Sequence, residues 1–496
     1  MAAGRSIARR AALAVVLMFG FYALAIAVAV GLLYIPYAEL RYFHRVDYRL
    51  ALFCIVGGLL ILWSIIPRPD RFEPPGPALD ESEHPELFSV LNGVARITGQ
   101  EMPREVYVTP DLNAWVALRG GMMGIGGRRV MGLGLPLLQI LSVTRFRAVL
   151  AHEFGHYYGG DTSLGPWVYK TRAAIGRTIE GVSRHSSVLS KLFQWYGLLF
   201  LRLTLRVSRQ QELSADELAA RTVGSQPLVE GLKLVHGAAL AYDPYLLTEV
   251  VPALRKGYRP PVADGFRRFL NSRQISEDIS AFVDAELNAG EADPYDSHPP
   301  LRERIAALAQ LPPGDQRDSD PPALSLLRDV DTLEGKLMGF ILSDYAGKGF
   351  KPISWDELPA QVWVPAWRDN IQPRKEWLKG LTPTSLTILA KEPSNLAVRL
   401  RFAPGASVTN DRHRAEAAAV VGSALSLALL ARGWSLTALP GAPVVLESGG
   451  VSIKPFVVAD DLSSGALSAE EWVALCESAS IADLDLGVTA ESGTDR

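Results

Sequence analysis

The sequence predicts a mainly α-helical chain with a small β-sheet, placed after an N-terminal transmembrane hairpin and followed by a C-terminal α+β domain. Three observations lead to this prediction: two uncharged runs near the N-terminus, short strand patterns followed by long helical periodicity, and mixed patterns towards the C-terminus. A chain of 496 residues exceeds one small domain. We expect the hairpin within residues 1–72, a central domain over 80–311 and a third domain, of unknown role, over 323–496.

Charge and cysteine content exclude several classes of protein. The formal net charge is −3 and no Lys/Arg-rich run offsets it, so we expect no nucleic-acid partner. Cys54 and Cys476 are the two cysteines, which excludes a disulfide framework and a cysteine-based zinc cluster.

The N-terminal runs have the length of membrane spans. Residues 11–35 are almost wholly apolar, and this run is longer than the apolar core of a signal peptide. The second run, 50–67, is shorter but long enough to span if flanking arginines reach the headgroups. The alternative is a cleaved signal followed by a buried helix. Two runs joined by a short polar loop favour a hairpin, and therefore a multi-pass protein of the cell membrane with the bilayer as a partner.

The arginines around the two runs favour one orientation. Both ends of the hairpin, and with them the central domain, are expected in the cytoplasm. The residues concerned are five flanking arginines, Arg5, Arg9, Arg10, Arg68 and Arg71, against three in the loop, Arg41, Arg45 and Arg49.

A proline-rich linker, 67–80, separates the hairpin from the central domain. Periodicity predicts a helix over 86–98, and alternation predicts strands over 105–109, 113–118 and 128–133. The glycine-rich stretch "GGMMGIGG" before the third strand lacks the Gly-Lys-Ser/Thr ending of a phosphate loop, so we interpret it as a hairpin turn.

Helical patterns dominate the rest of the central domain. A helix over 142–158 is predicted to end at Gly159 and Gly160, and further helices reach about residue 310. The apolar segment 191–206 contains Arg202, and we interpret it as a core or interfacial helix.

A second proline-rich linker, 312–322, marks a boundary that few contacts should cross. Beyond it we expect a helix over 414–432 and strands near 396–402, 443–447 and 451–458.

The segment "AVLAHEFGHYYGGD", residues 148–161, carries the chemistry. In a helix, His152 and His156 project from one face and can share an ion, while Glu153 can reach a water on that ion. Zinc suits two imidazoles in a site that keeps one coordination position open. The alternative, two solvated histidines, is disfavoured because Leu150 and Phe154 would bury much of the same helix.

Downstream, Glu212 and Asp216 are again four residues apart on a helical pattern. Alone, such a pair is usually a solvated helix face. Beside a His-Glu-x-x-His helix, Glu212 can be the third metal ligand, and Asp216 can accept a hydrogen bond from a ligand histidine and so fix its tautomer.

Four segments together carry a resemblance to a known family. They are "VYVTPDLNAWV" (106–116), "LAHEFGHYYGGD" (150–161), "SRQQELSAD" (208–216) and "SHPPLRERI" (297–305). In this order they resemble the HtpX and CAAX-prenyl-protease family of membrane-bound zinc metallopeptidases, which are gluzincins. Relatives such as HtpX have further spans between the active helix and the glutamate, where this chain has only the run interrupted by Arg202.

The resemblance implies a gluzincin-like fold with one Zn²⁺ per chain and a role for each matching residue. It implies zinc ligands at His152, His156 and Glu212, a general base at Glu153, a supporting role for Asp216, and substrate binding by the edge strand at Asn113 and Ala114. For His298 it implies a catalytic place beside the zinc, as oxyanion donor or as a plug of the open position, whereas a lone histidine before two prolines is more often a loop residue. Arg302 or Arg304 could anchor that loop to a core carboxylate.

These observations predict a membrane-anchored zinc metalloendopeptidase that hydrolyses peptide bonds of protein or peptide substrates through a zinc-activated water. Its expected role is quality control of membrane proteins. Two alternatives stay open: a CAAX-type prenyl-peptide processing protease, which would need a lipid-holding chamber of many spans, and a non-catalytic zinc-binding membrane scaffold, which would not need Glu153 as a base.

Overall fold

A computed structural model describes residues 2–66, 72–120, 127–156, 165–288, 299–314, 320–342, 349–387 and 410–487. The chain divides into two compact units, each described here by itself. The first comprises Met1–Ala238 and Ala281–Asp344, and the second comprises Ala239–Ser280 and Tyr345–Arg496. Helices predominate in both and the sheets are small, as the sequence predicts. The three-part division expected from the linkers stays a prediction.

The first unit begins with two antiparallel helices, α1 (Ala2–Ala38) and α2 (Tyr48–Ile65), joined through a short π-helix (Glu39–Phe43). The segments Ala12–Phe43 and Tyr48–Ile65 are long and apolar enough to cross a membrane. Glycines allow close packing between them, since a Cβ on Gly58 would lie 3.1 Å from the carbonyl oxygen of Ala29.

A four-stranded sheet and one helix, α3 (Pro85–Thr98), follow. The strands are β1 (Ala78–Leu79), β2 (Glu105–Thr109), β3 (Ala114–Arg119) and β4 (Arg128–Gly134), in the spatial order β1-β2-β4-β3. Strands β2 and β4 are parallel, while β3 and β4 pair antiparallel across the glycine-rich connection. The predicted helix and the three predicted strands are therefore confirmed to within one residue at each boundary.

Four helices come next: α4 (Leu135–Ile140), α5 (Val143–Gly155), α6 (Gly165–Ser183) and α7 (Ser187–Val223). Helix α5 ends at Gly155, earlier than predicted, and the predicted caps Gly159 and Gly160 lie outside the described residues.

Helices α6 and α7 pack against the N-terminal hairpin and share one apolar core with it. Phe193 and Phe200 of α7 are fully buried there beside Phe21 of α1, whereas Trp195 is 63% exposed. The segment 191–206 is thus part of a core, one of the two roles that the sequence predicts. Because α7 is one continuous helix, the same element reaches from the hairpin to Glu212.

The first unit also includes residues beyond the second linker, with a 3₁₀-helix (Ala323–Leu326) and a helix (Val330–Ile341). The amide of Ala323 donates to the carbonyl of Leu141, and the amide of Val143 donates to that of Pro321, both at 2.8 Å. Backbone hydrogen bonds thus join residues at the end of the linker 312–322 to the first unit, and the domain boundary expected at this linker stays a prediction. Paired backbone groups hold its C-terminal end against the start of α5.

The second unit is built from short helices, one longer helix of 22 residues and two small sheets. Its helices and strands are the π-helix Leu246–Val250, helices Val251–Arg255 and Val262–Leu270, paired strands Tyr258–Arg259 and Lys351–Pro352, π-helix Pro359–Trp363, helices Val364–Ile371, Lys375–Leu378 and Asn410–Ala431, and the three-stranded sheet Ser435–Thr437, Val445–Ser448 and Val451–Ile453. Helices Pro455–Ser464 and Ala469–Ser478 complete it. Two helices, Ser225–Tyr245 and Arg273–Asn288, contain residues of both units, and the helix Leu301–Leu308 belongs to the first unit.

One strand prediction in this unit needs correction. The strand expected over 451–458 ends at Ile453, and a helix begins at Pro455. Proline favours the first position of a helix because its fixed φ suits the helix and its missing N–H would have no partner there. The helix predicted over 414–432 is present, and the strand expected near 396–402 lies outside the described residues.

We expect Trp355→Ala to destabilise the second unit by about 3–5 kcal/mol, the usual cost of removing a buried aromatic side chain. Trp355 is 2% exposed, and its indole Nε1 donates to the carbonyl of Pro261 at 2.8 Å. Limited proteolysis across a denaturant series measures the change, with Leu247→Ala, at a 67% exposed position of the same unit, as control. Equal stability of the two variants would show that Trp355 does not hold this unit together.

Candidate metal centre

The site forms where α5 and α7 cross closely. A Cβ atom on Gly155 would lie 2.8 Å from the Cα atom of Ala215, so only glycine permits this approach. The crossing brings His152 and His156 of α5 opposite Glu212 of α7. Sequence reasoning did not identify Gly155 as part of the site. The available signal was a glycine between the two histidines, with a small residue on the opposing helix.

Glu212 lies between the two imidazoles. Its oxygens are 3.5 Å from Nε2 of His152 and 3.6 Å from Nε2 of His156, which exceeds a normal hydrogen bond. Two donors that share a tetrahedral zinc at about 2.0–2.2 Å are separated by roughly 3.3–3.6 Å. The chemistry and spacing of these three side chains therefore fit a tetrahedral metal ion.

The carboxylate of Asp216 and the guanidinium of Arg304 lie on the Nδ1 side of His152. Nδ1 of His152 is 2.8 Å from Asp216, and Arg304 donates two hydrogen bonds of 2.7 Å to the same carboxylate. Arg304 also approaches Nδ1 at 3.4 Å, but the shorter distance to Asp216 indicates that Nδ1 carries a proton and donates a hydrogen bond to this carboxylate. When His152 is neutral, with its proton on Nδ1, the lone pair of Nε2 faces Glu212. The prediction that Arg302 or Arg304 anchors to a core carboxylate is confirmed for Arg304.

These charges shift the pKa values of the site. Burial lowers the pKa of His152, but its hydrogen bond to Asp216 and the nearby carboxylate of Glu212 outweigh burial and raise it to about 9. Burial and the charge of His152 lower the pKa of His156 to about 4. Burial opposes ionisation of Asp216, yet its bonds to Arg304 and His152 lower its pKa to about 2. At neutral pH the carboxylate of Asp216 is therefore ionised and His156 is neutral.

Glu153 differs from the other two carboxylates. Burial raises its pKa to about 7, the charge of Glu212 adds to the shift, and His152 and Arg304 oppose it. A carboxylate whose pKa lies near neutral pH can both accept and return a proton. One donor atom each of His152, Glu153 and His156 lie within 4.8 Å of one another, so Glu153 is close to any ion that the histidines hold.

The other residues predicted to act in the site are Asn113, Ala114 and His298. Asn113 precedes β3, and its carbonyl accepts a hydrogen bond of 2.8 Å from the amide of Gly134. Ala114 is buried at the start of β3, which is the last strand in the sheet order and contacts α5. His298 lies outside the described residues.

This helical fold, with a small sheet beside a buried His-Glu-x-x-His helix, defines a hydrolase of the metalloprotease class. Residues 81–311 match the sequence model of Peptidase family M48. The resemblance drawn from the sequence motifs is therefore confirmed.

The chain is similar to proteins named HtpX. It is 23% identical over 246 residues to the "Protease HtpX homolog" of Pseudarthrobacter chlorophenolicus, which covers 47% of this chain and 74% of that protein. It is 27% identical over 242 residues to the "Protease HtpX" of Idiomarina loihiensis, covering 45% and 71%. No solved structure matches the chain.

Proposed function

We propose that this protein is a membrane-anchored, zinc-dependent metalloendopeptidase. The observation that carries the proposal is the convergence of His152, His156 and Glu212 at separations that suit one tetrahedral ion. Two imidazoles and one carboxylate form the donor set typical of a catalytic zinc, which leaves a fourth position open. We assign Glu212 rather than Glu153 as the third ligand, because its oxygens approach both Nε2 atoms and it faces them from the opposite helix.

When bound, zinc would lower the pKa of a water molecule and polarise the peptide carbonyl. Glu153 is then the general base: it accepts a proton from the attacking water and returns it to the leaving amine. Burial supports this role, because it raises the pKa of Glu153 to about 7 and so makes the carboxylate a better base.

Asp216 and Arg304 orient the ligands without touching the ion. Asp216 accepts a hydrogen bond from Nδ1–H of His152 at 2.8 Å, which leaves Nε2 as the ligand nitrogen. Arg304 fixes the carboxylate of Asp216 and lies 3.7 Å from Glu212. The positive guanidinium also offsets the repulsion between these buried carboxylates.

Substrate binding and the role of His298 are further parts of the proposal. Strand β3 lies at the end of the sheet order next to α5, which suits it to bind an extended substrate backbone at Asn113 and Ala114. His298 is proposed to act beside the zinc, and kcat and zinc affinity of His298→Ala, measured on one preparation, would separate an oxyanion donor from a plug.

The two apolar N-terminal helices support membrane anchoring. From the arginines that flank them we further propose that the peptidase domain lies in the cytoplasm, and that its substrates are membrane proteins degraded for quality control. Purified full-length protein tests the proposal through two measurements, its bound zinc and its cleavage of casein. One zinc per chain with cleavage that a chelator abolishes is expected. Zinc without cleavage would favour the scaffold alternative, and cleavage confined to prenylated peptides would favour the CAAX-type alternative.

We expect zinc binding at pH 7 to release at least one proton per ion, because only a neutral imidazole binds metal and the pKa of His152 is about 9. His156, whose pKa is about 4, is already neutral and contributes none. Glu153, whose pKa is about 7, and a zinc-bound water would add to this release. Zinc affinity should therefore rise at least about tenfold per pH unit between pH 7 and 9.

Calorimetry in two buffers of different ionisation enthalpy measures the proton release. In Asp216→Asn the pKa of His152 should fall towards its ordinary value, because a neutral amide cannot stabilise the imidazolium as a carboxylate does. Fewer protons per zinc ion should then be released at pH 7. Binding without proton release in the unmodified protein would contradict the assignment of His152.

A further inference from the structure

An apolar groove of 330 Å³ lies between α6 and the first half of α7, on the unit that carries the hairpin. Its lining is mostly apolar and includes Ile175, Ile179, Leu198, Phe200 and Leu201. Gly176 opens the groove on the α6 side, since a Cβ atom there would meet no atom within 4 Å. This volume is within the range of small-molecule sites and is sufficient for part of an acyl chain.

The side chain of Arg172 places a positive charge at one end of this groove. The guanidinium of Arg172 lines it, and Nη2 of Arg172 donates to the hydroxyl of Thr204 at 2.7 Å. Nε of Arg172 is buried and has no hydrogen-bond partner within the described ranges, which also place no carboxylate within 4.0 Å of this side chain. A buried donor without a hydrogen-bond partner costs free energy. An anionic ligand that accepts a hydrogen bond from this guanidinium would remove that cost.

Contacts between α6 and α2 show where the charge of Arg172 lies along the axis of the apolar helices. Nε of Arg177 donates to the carbonyl of Ser64, one residue before the end of α2. Nε2 of His185 is 2.7 Å from the carbonyl of Phe53, so α6 runs antiparallel along α2. Arg172 precedes Arg177 by five residues, about 7.5 Å along the helix axis, and therefore lies beyond the end of the span. The apolar part of the groove extends the other way, alongside the span.

The charge of α6 and of the part of α7 before Glu212 also favours an anion. Residues 165–211 contain eight Lys/Arg residues and a single acidic residue, Glu180. Basic segments next to a membrane span attract anionic lipids by about 1 kcal/mol for each Lys or Arg near the surface.

We propose that this groove binds an anionic phospholipid, with an acyl chain between α6 and α7 and the phosphate on Arg172. Three features match this class of ligand: the charge of Arg172 at the level of the lipid headgroups, the apolar groove alongside the span, and a guanidinium N–H without a hydrogen-bond partner. The proposal needs the hairpin to lie in a membrane and does not depend on peptidase activity.

Native mass spectrometry of the full-length protein in detergent, titrated with palmitoyl-oleoyl phosphatidylglycerol, tests it. Arg172→Gln removes the charge and should weaken binding of one lipid about 10- to 100-fold, as expected for losing hydrogen bonds from a charged group. Gly176→Phe should weaken it similarly, by filling the groove from a position where the new side chain meets open space.

Two matched variants serve as controls. Arg184→Gln makes the same charge change at an exposed position just after α6, and Gly31→Phe adds the same bulk at an exposed, open position of α1. Both should bind the lipid like the unmodified protein.

Other probes decide the chemical class of the ligand. Equal binding in Arg172→Gln and Gly176→Phe, each eluting as a single folded species, would overturn the proposal. Equal affinity for phosphatidylcholine would overturn the preference for an anionic lipid, and displacement of the lipid by millimolar inorganic phosphate would assign the site to free phosphate instead.

Discussion

Glu153→Gln is expected to lower proteolysis by about 10²–10⁴-fold, the usual contribution of a positioned general base, while zinc content stays unchanged. The amide has nearly the same shape as the carboxylate but cannot accept a proton from water. Retention of zinc is expected because the proposed ligands are His152, His156 and Glu212. Casein cleavage and metal analysis on one preparation measure both quantities.

Glu217→Gln is the matched control. Glu217 is exposed on α7, where it pairs with Arg221 at 2.7 Å, and surface pairs of this kind contribute about 0–1 kcal/mol. This variant should keep full activity. Near-normal cleavage by Glu153→Gln would show that another group is the base, and loss of zinc in that variant would make Glu153 a ligand.

Glu212→Ala is expected to lose most of its zinc and, with it, most of its activity. Groups that only hydrogen-bond to a metal ligand affect metal affinity by about 10–100-fold, so removal of a ligand itself should exceed that range. The variant also leaves Arg304 beside one carboxylate fewer, which makes the pocket more positive and further disfavours a cation. Equilibrium dialysis against a zinc indicator measures the affinity.

Glu217→Ala provides the same substitution five residues along α7, on its exposed side, and should bind zinc normally. Thermal unfolding without metal shows whether Glu212→Ala is folded. A folded Glu212→Ala with full zinc occupancy would place the third ligand elsewhere, and Glu153 would be the next residue to test.

The local pattern of the sequence was sufficient for most helices and strands of the first unit and for the residue types of the predicted site. The four-residue spacing of His152 and His156 is a property of any helix, and the apolar length of the N-terminal runs follows from the thickness of a bilayer. Strand alternation before α5 likewise located three strands. Each of these signals depends only on neighbours along the chain.

Other features depended on contacts between distant segments. The bond from Arg304 to Asp216 joins residues 88 positions apart, and only the fold selects Arg304 over Arg302. The role of Gly155 becomes visible only with Ala215 packed against it. The linker at 312–322 looked like a boundary because proline breaks helices, yet backbone pairing with Leu141 and Val143 holds its end to the first unit.

The sequence by itself indicated the class of chemistry, since two histidines and a glutamate at this spacing already predict two metal donors and a base. Only the tertiary structure decided how those groups are charged. The pKa of Glu153 rises to about 7 and that of His152 to about 9 because α5, α7 and Arg304 enclose them away from water and beside particular partners. Burial and the distance between charges are properties of packing, and no local pattern contains them.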